Sequence, residues 1–147
     1  MKLYIINGPN LNMLGVREPE HYGSENYSVL EDKIRAHCSK RGIECVIFQS
    51  NHEGALVDKI QEAYFAGASG IVINPAAYTH TSIALLDALK ATRLPTVEIH
   101  ISRVDEREAY RKISFVREAA IATVSGKGTD GYLEAIDILI NKGKEKK

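Results

Sequence analysis

The residues best suited to proton transfer are Glu98 and His100, which stand two positions apart in the apolar run 97–102. Because side chains alternate along a strand, both are expected on the same face of a sheet. A carboxylate beside an imidazole orients the ring and stabilises its protonated form, which suits a general acid or base. A purely structural histidine satisfies the same pattern, so the spacing leaves both interpretations open.

A second candidate pair, Arg17 and Tyr22, lies in a segment rich in glycine and proline between residues 8 and 27. A free tyrosine, with a pKa of about 10, is a poor base at neutral pH. A nearby guanidinium favours the phenolate, so this pair can supply a base on a closing lid. The alternative is a surface arginine and a packed tyrosine, since most perturbed pairs serve structure.

Polar residues also follow the apolar run 71–73, where Asn74 comes first and His80 opens the next helical pattern. Helix N-termini bind anions, and an asparagine amide can bind a carboxylate or a hydroxyl. An ordinary N-cap and turn explain the hydroxyl residues there but give Asn74 and His80 no role. A metal site of His80, Glu98 and His100 is a further alternative, although no zinc spacing is visible.

Two other motifs are weaker. Arg107 and Arg111 are four residues apart on a predicted helix at 106–112, where basic pairs are usually solvated. Residues 126–131 (GKGTDG) formally match the dinucleotide-binding glycine pattern. No second strand with a ribose-binding acid follows them, so we interpret these glycines as a tight turn with close helix packing.

These residues must be positioned by strands and helices that alternate along the chain. Apolar runs rich in β-branched residues predict strands at 3–6, 44–48, 71–73, 96–101 and 120–124. Amphipathic stretches predict helices at 28–40 (with a capping box of Ser28 and Glu31), 51–67, 81 or 82 to just before Pro95, 106–112 and 132–141.

This alternation predicts an α/β fold, a doubly wound five-stranded parallel sheet with helices on both faces. Among the few topologies with right-handed crossovers, the flavodoxin-like strand order is favoured, and ligands then bind at the carboxyl edge of the sheet. The 147 residues fit one catalytic domain, with a lid at about residues 15–25 and a charged tail at about residues 142–147.

Composition excludes several classes of protein. Lysine plus arginine (19) balances aspartate plus glutamate (19), so no basic field recruits nucleic acid. No apolar window approaches the roughly 20 residues of a membrane span, and the N-terminal apolar run is too short for a signal peptide. The only cysteines, Cys38 and Cys45, match no zinc spacing and suit a reducing compartment. We therefore expect a cytoplasmic protein without a nucleic-acid or membrane partner.

Five segments of the chain resemble the type II 3-dehydroquinate dehydratase family and occur in the family's order. They are 7–23 (NGPNLNMLGVREPEHYG), 49–54 (QSNHEG), 74–87 (NPAAYTHTSIALLD), 97–102 (VEIHIS) and 126–132 (GKGTDGY). The resemblance implies dehydration of 3-dehydroquinate to 3-dehydroshikimate by trans elimination through an enolate, without a cofactor or a metal. The reaction serves aromatic amino acid biosynthesis by the shikimate pathway, or quinate catabolism.

The resemblance also implies the catalytic roles. Tyr22 would remove the proton alpha to the ketone, with Arg17 lowering its pKa. Asn10, with ordered water, would stabilise the enolate. His100, oriented by Glu98, would protonate the departing hydroxyl.

The same resemblance implies how the small-molecule substrate is bound. Asn74 and the backbone amides of Ile101 and Ser102 would hold its carboxylate. His80 and Arg111 would bind its ring hydroxyls.

Further implications concern the assembly. Asp87 would reach the site of a neighbouring subunit in a homododecamer built from trimers, and Arg107 is a possible support residue. The chain departs from the family at Arg103, Asp105 and Ala76, where asparagine, histidine and glycine are usual. These departures bear on subunit contacts and on the shape of the site.

The chemistry of the residues agrees with this implication, because elimination beside a ketone needs a base, enolate stabilisation and an acid. Four lysines fall on predicted helices and none is placed for a Schiff base, which favours the enolate route: Lys33, Lys40, Lys59 and Lys90. The alternative function is a non-enzymatic flavodoxin-like binding or signalling module. Against it, the turn at 7–10 lacks the acids of a signalling receiver and the hydroxyls usual around flavin phosphate.

Overall fold

Strands and α-helices alternate along the chain in a computed structural model that describes residues 1–16 and 25–145. The strands are β1 (Lys2–Asn7), β2 (Glu44–Gln49), β3 (Gly70–Asn74), β4 (Thr96–His100) and β5 (Ala122–Ser125). The α-helices are α1 (Tyr27–Lys40), α2 (Glu53–Phe65), α3 (Ile83–Thr92) and α4 (Asp130–Glu145). Among the helices of these residues, none combines the length and apolar character needed to cross a membrane.

The five strands form one parallel sheet in the order β2-β1-β3-β4-β5. This confirms the predicted flavodoxin-like arrangement. The register pairs Asn7 of β1 with Asn74 of β3, so both strands end at the same level. The next strand, β4, ends at His100. Polar residues from three neighbouring strands therefore meet at the carboxyl edge of the sheet.

Apolar side chains cover both faces of the sheet, as the continuous apolar runs predict. Helices α1 and α4 pack on one face, where Ile34 and Ile136 join Val97 and Ile99 in the core. Helices α2 and α3 pack on the other face. Because Val97 and Ile99 face α1 and α4, strand alternation turns Glu98 and His100 toward the opposite side.

Two predicted helix boundaries were wrong for local reasons. Helix α1 is capped by Asn26, whose side-chain oxygen accepts from the Val29 N–H at 2.8 Å, so the expected capping box at Ser28 is not the cap. Helix α4 continues through residues 142–145, which were expected in the charged tail. Lysines in its last turn are favourable there because they face the negative end of the helix dipole.

The predicted helix at 106–112 was also wrong. The segment forms two short 3₁₀ helices, Val104–Glu106 and Ala109–Arg111. Arg107 lies between them with non-helical backbone (φ −92°, ψ −148°), which interrupts any helix. Its side chain is only 6% exposed, so tertiary burial of this arginine decides the local conformation.

Both cysteines are free thiols, as their spacing suggested. Cys38 is buried on α1, and Cys45 is half-buried on β2. Burial first, and then the neighbouring Cys45, raise the pKa of the Cys38 thiol to about 12. This thiol is therefore protonated at neutral pH and contributes to packing.

Candidate active site

The carboxyl edge of the sheet contains a cavity of about 200 Å³ at the ends of β1, β3 and β4. Seven of the predicted site residues line it: Asn10, Asn74, His80, His100, Ile101, Ser102 and Arg111. Asp87 is exposed on α3 and is not part of this lining. The predicted pair Arg17 and Tyr22 lies outside the residues that the structure describes.

Glu98 and His100 form a buried pair beside this cavity. The Nε2 atom of His100 lies 2.5 Å from Oε2 of Glu98, and the two residues are 3% and 0% exposed. Hydroxyls of Ser114 and Thr123 also donate to the Glu98 carboxylate, at 2.7 and 3.0 Å. The carboxylate thus sits behind the ring, while His100 itself lines the cavity.

The Glu98 carboxyl is ionised despite its burial. Burial alone raises its pKa, but hydrogen bonds from His100 and then Arg117 outweigh that effect and lower the pKa from 4.5 to about 2. At neutral pH Glu98 therefore carries a negative charge beside the His100 ring. This is the electrostatic setting that a general acid needs.

The turn after β1 holds Asn10 at the cavity in a left-handed conformation (φ 69°). Its backbone N–H donates to the side-chain oxygen of Asn51 at 3.0 Å, and Gln49 donates to the same oxygen at 3.1 Å. Gly8 packs against the turn after β3, because a Cβ there would lie 2.4 Å from the Pro75 carbonyl oxygen. Only glycine allows the two turns to approach so closely.

The orientation of Asn74 is determined by a chain of hydrogen bonds. Its side-chain oxygen accepts from the Ala76 N–H at 3.1 Å, so its nitrogen donates to the Tyr132 hydroxyl at 2.9 Å. The single Tyr132 proton then goes to the Asn7 oxygen at 2.6 Å, and the Asn7 nitrogen donates to Tyr27 at 3.2 Å. The second N–H of Asn74 is the group that can serve a ligand in the cavity.

Replacing Tyr132 by phenylalanine is expected to lower the free energy of unfolding by about 1–3 kcal/mol, because it leaves buried amide groups of Asn7 and Asn74 unpaired. Chemical denaturation measures this loss. Tyr4→Phe is the matched control, since that hydroxyl contacts only the exposed Glu62 in the described structure and should cost less than about 1 kcal/mol. Equal losses in the two variants would contradict a special role for the hydrogen bonds that join Asn74, Tyr132 and Asn7.

His80 also lines the cavity, and its ring has a defined tautomer. Its Nδ1 is 2.7 Å from the Ile113 carbonyl oxygen, which only accepts, so Nδ1 carries a hydrogen. Burial lowers the pKa of His80, and it outweighs the opposing effect of the hydrogen bond to Ile113; His100 and Arg111 lower the pKa further. The neutral ring therefore offers Nε2 as an acceptor, which suits a substrate hydroxyl.

The GKGTDG segment supports the end of β4. The N–H groups of Gly126 and Gly128 donate to the carbonyls of His100 and Ile101, at 3.2 and 3.1 Å. Both glycines have positive φ (76° and 63°), a conformation that favours glycine. The motif forms a tight turn that holds the two residues beside the cavity.

Several residues that contact Glu98 and Asn74 were not identified from the sequence. Arg117, Ser114 and Thr123 all contact Glu98 from segments that carry no recognisable motif. Asn7 was detectable, because an asparagine that ends a buried strand repeats the pattern of Asn74. Tyr132 gave no signal, since a tyrosine on the buried face of a helix is ordinary core.

The geometry gives no further support for a metal site or for a Schiff-base lysine. Within residues 1–16 and 25–145, no group of three histidine, cysteine or acidic side chains is arranged to hold a metal ion. The four lysines considered for a Schiff base lie on α1, α2 and α3, and none lines the cavity.

The fold is that of a flavodoxin-like α/β protein, and the cavity beside the buried Glu98–His100 pair gives it a candidate active site at the carboxyl edge of the sheet. The family model described as dehydroquinase class II matches residues 1–140. The chain belongs to this family.

Individual relatives are similar in sequence to this chain over most of their lengths. The chain is 52% identical to the 3-dehydroquinate dehydratase of Acidovorax sp. (strain JS42), over 92% of this chain and 94% of that protein. It is 47% identical to the 3-dehydroquinate dehydratase of Clostridium perfringens (strain ATCC 13124), over 98% and 100%. The crystal structure of type II dehydroquinase from Butyrivibrio crossotus DSM 2876 superimposes with a TM-score of 0.94 at 52% identity, covering 95% and 97%.

Two departures from the family pattern have visible structural consequences. Ala76 adopts a left-handed conformation (φ 53°), which costs a residue with a Cβ roughly 1–2 kcal/mol and explains why glycine suits this position. Arg103 packs over Gly126, whose added Cβ would lie 2.3 Å from the arginine Cγ, and it pairs with Glu106 at 3.2 Å. These two contacts hold the Arg103 side chain on the surface.

Proposed function

We propose that the chain catalyses the dehydration of 3-dehydroquinate to 3-dehydroshikimate, as a carbon–oxygen hydro-lyase of the shikimate pathway or of quinate catabolism. The observation that carries the proposal is the buried, ionised Glu98 behind His100, at a cavity that also contains Asn10 and Asn74. Family membership supports the lyase over a non-enzymatic flavodoxin-like module.

The reaction follows from three groups. Tyr22, as a phenolate stabilised by Arg17, takes the proton alpha to the ketone, and the electrons of the broken C–H bond form an enolate. Asn10, with an ordered water, stabilises the enolate oxygen. The enolate then forms the carbon–carbon double bond as the C–O bond breaks, and His100 protonates the departing hydroxide. Because the proton and the hydroxyl leave from opposite faces, the elimination is trans.

Binding of the substrate uses the remaining polar groups of the cavity. The second N–H of the Asn74 amide and the backbone amides of Ile101 and Ser102 hold the carboxylate. His80, through its unprotonated Nε2, accepts a hydrogen bond from one ring hydroxyl, and Arg111 donates to another. Charge and polarity complementary to a hydroxylated cyclic acid support this assignment.

The elimination transfers only protons and hydroxide and involves no change of oxidation state, and the proposed route uses neither a cofactor nor a metal. We further propose that the chain is one catalytic domain with residues 15–25 as a lid over the cavity. Twelve copies would assemble from trimers in the cytoplasm, with the exposed Asp87 of α3 reaching the site of a neighbouring subunit. Light scattering is expected to give the mass of a dodecamer.

A direct assay tests the proposed function. The purified chain with 3-dehydroquinate should develop the ultraviolet absorbance of a conjugated enone, and the rate should be the same with and without a metal chelator. A colourless protein would further disfavour a flavin. Folded protein that produces no enone would refute the dehydratase, whatever the roles of individual residues.

A further inference from the structure

The carboxylate of Glu98 has a second cationic partner that the positioning of one imidazole does not require. Arg117 donates through Nε to Oε1 at 2.9 Å and through Nη2 to Oε2 at 3.4 Å. His100 contacts the same Oε2. The buried carboxylate is therefore paired both with a permanent cation and with an imidazole that gains and loses a proton.

We infer that Arg117 is a positioning residue for the dehydration: its charge keeps Glu98 ionised, so that the transferable proton of the pair stays on His100. The inference rests on the proposed role of His100 as the general acid.

The need for this charge follows from burial. A buried carboxylate and imidazole can exist as an ion pair or, after proton transfer, as two neutral groups, and desolvation favours the neutral form. In that form the proton lies on Glu98, which is fully buried behind the ring and does not line the cavity. A proton there cannot reach the departing hydroxide, whereas Arg117 favours the ionised carboxylate and so returns the proton to His100.

The same charge also selects the nitrogen that reacts. An ionised carboxylate only accepts hydrogen bonds, so Nε2 of His100 keeps its hydrogen toward Glu98 in both protonation states. The proton that leaves is then the one on Nδ1. Arg117 thereby determines both where the proton is stored and from which ring nitrogen it is delivered.

Arg117 acts through Glu98, because it contacts that carboxylate and does not line the cavity, and its side chain is 40% exposed. Its segment is anchored by the two residues that precede it. The neighbouring Val116 is fully buried, and the Phe115 N–H donates to the Thr79 carbonyl at 3.1 Å. The guanidinium is therefore presented to Glu98 by a fixed backbone.

The test compares Arg117→Gln and Arg117→Lys in the purified full chain with 3-dehydroquinate. Loss of the charge in the glutamine variant is expected to lower kcat roughly 10- to 100-fold and to change KM less than about threefold. The lysine variant should recover most of this loss, since it restores the charge although not the two-point contact of the guanidinium.

The pH dependence of kcat distinguishes an effect of the Arg117 charge from a purely structural role of its side chain. Among residues 1–16 and 25–145, the charged and titratable groups in contact with Glu98 are His100 from its own strand and Arg117 from the 3₁₀ helix Val116–Glu118, alongside the neutral Ser114 and Thr123. Removing the arginine charge favours the protonated carboxyl. The fall in kcat on the acid side should therefore move to higher pH in Arg117→Gln and stay in place in Arg117→Lys.

A matched control exists elsewhere in the chain. Arg41 pairs with Asp137 at 2.7 Å, and Asp137 contacts His37 at 2.8 Å, which reproduces the arginine–carboxylate–histidine arrangement away from the cavity. Arg41→Gln should leave kcat and the pH profile unchanged.

The outcomes distinguish the two proposals. A wild-type chain that produces no enone defeats the proposed function itself. An active wild type with a folded Arg117→Gln of equal kcat and acid profile overturns only the inference about Arg117. Should the glutamine variant fail to fold, Arg117→Lys decides: retained kcat and acid profile support the inference, and a loss beyond about 10-fold in the folded protein overturns it.

Discussion

Replacing His100 by alanine is expected to lower kcat for dehydration by about 10²–10⁴-fold, because hydroxide would have to leave without an acid. The ring lines the cavity and its partner Glu98 carries a full negative charge at neutral pH, which supports its role as the proton donor. KM should change much less than kcat, since Asn74 and the backbone amides remain to hold the substrate.

The control for this variant is His37→Ala. His37 contacts Asp137 at 2.8 Å, so the substitution removes a histidine–carboxylate pair of similar geometry that does not line the cavity. Its kcat should equal that of the wild type. A His100→Ala enzyme with kcat reduced less than about fivefold would contradict the assignment of the general acid.

Replacing Tyr22 by phenylalanine is the second substitution with a large expected effect, again about 10²–10⁴-fold in kcat. The phenyl ring preserves packing but cannot take a proton. Tyr64→Phe is the control, because Tyr64 is 53% exposed on α2 and does not line the cavity. Equal rates for Tyr22→Phe and Tyr64→Phe would refute the role of Tyr22 as the base.

Deuterium exchange separates the roles of the two residues. In D₂O, His100→Ala should still form the enolate and incorporate deuterium at the carbon alpha to the ketone, although elimination is slow. Tyr22→Phe should do neither, because no base removes the proton. Exchange in the tyrosine variant at the rate of the histidine variant would show that another group starts the reaction.

The fold was largely predictable because the apolar pattern reports burial directly. Runs of β-branched residues buried on both faces identified all five strands to within about two residues. The helix at 106–112 was predicted wrongly because the burial of Arg107 is a tertiary effect without periodicity in the sequence. The cap of α1 was misplaced by two residues, since Asn26 and Ser28 are both good capping residues.

The site was predictable where a residue type conflicts with its surroundings. Glu98 and Asn74 are polar residues in or at the end of buried strands, and such residues need partners. The partners themselves were not predictable: Arg117 and Tyr132 come from segments distant in sequence and resemble an ordinary surface arginine and an ordinary core tyrosine. Arg107 and Arg111 do meet at the cavity, although the shared helical face that linked them does not exist.

By itself, the sequence determined the alternation of strands and helices and the polar residues placed at one edge of the sheet, and it favoured the strand order that the structure has. The elements and the placement of the polar residues follow from local side-chain periodicity. The strand order follows from the right-handed connections between parallel strands. Only the tertiary structure decided the charge state of Glu98, the tautomer of His80 and the orientation of Asn74. The reason is physical: each depends on which distant groups burial brings within hydrogen-bond distance, and local sequence does not encode those distances.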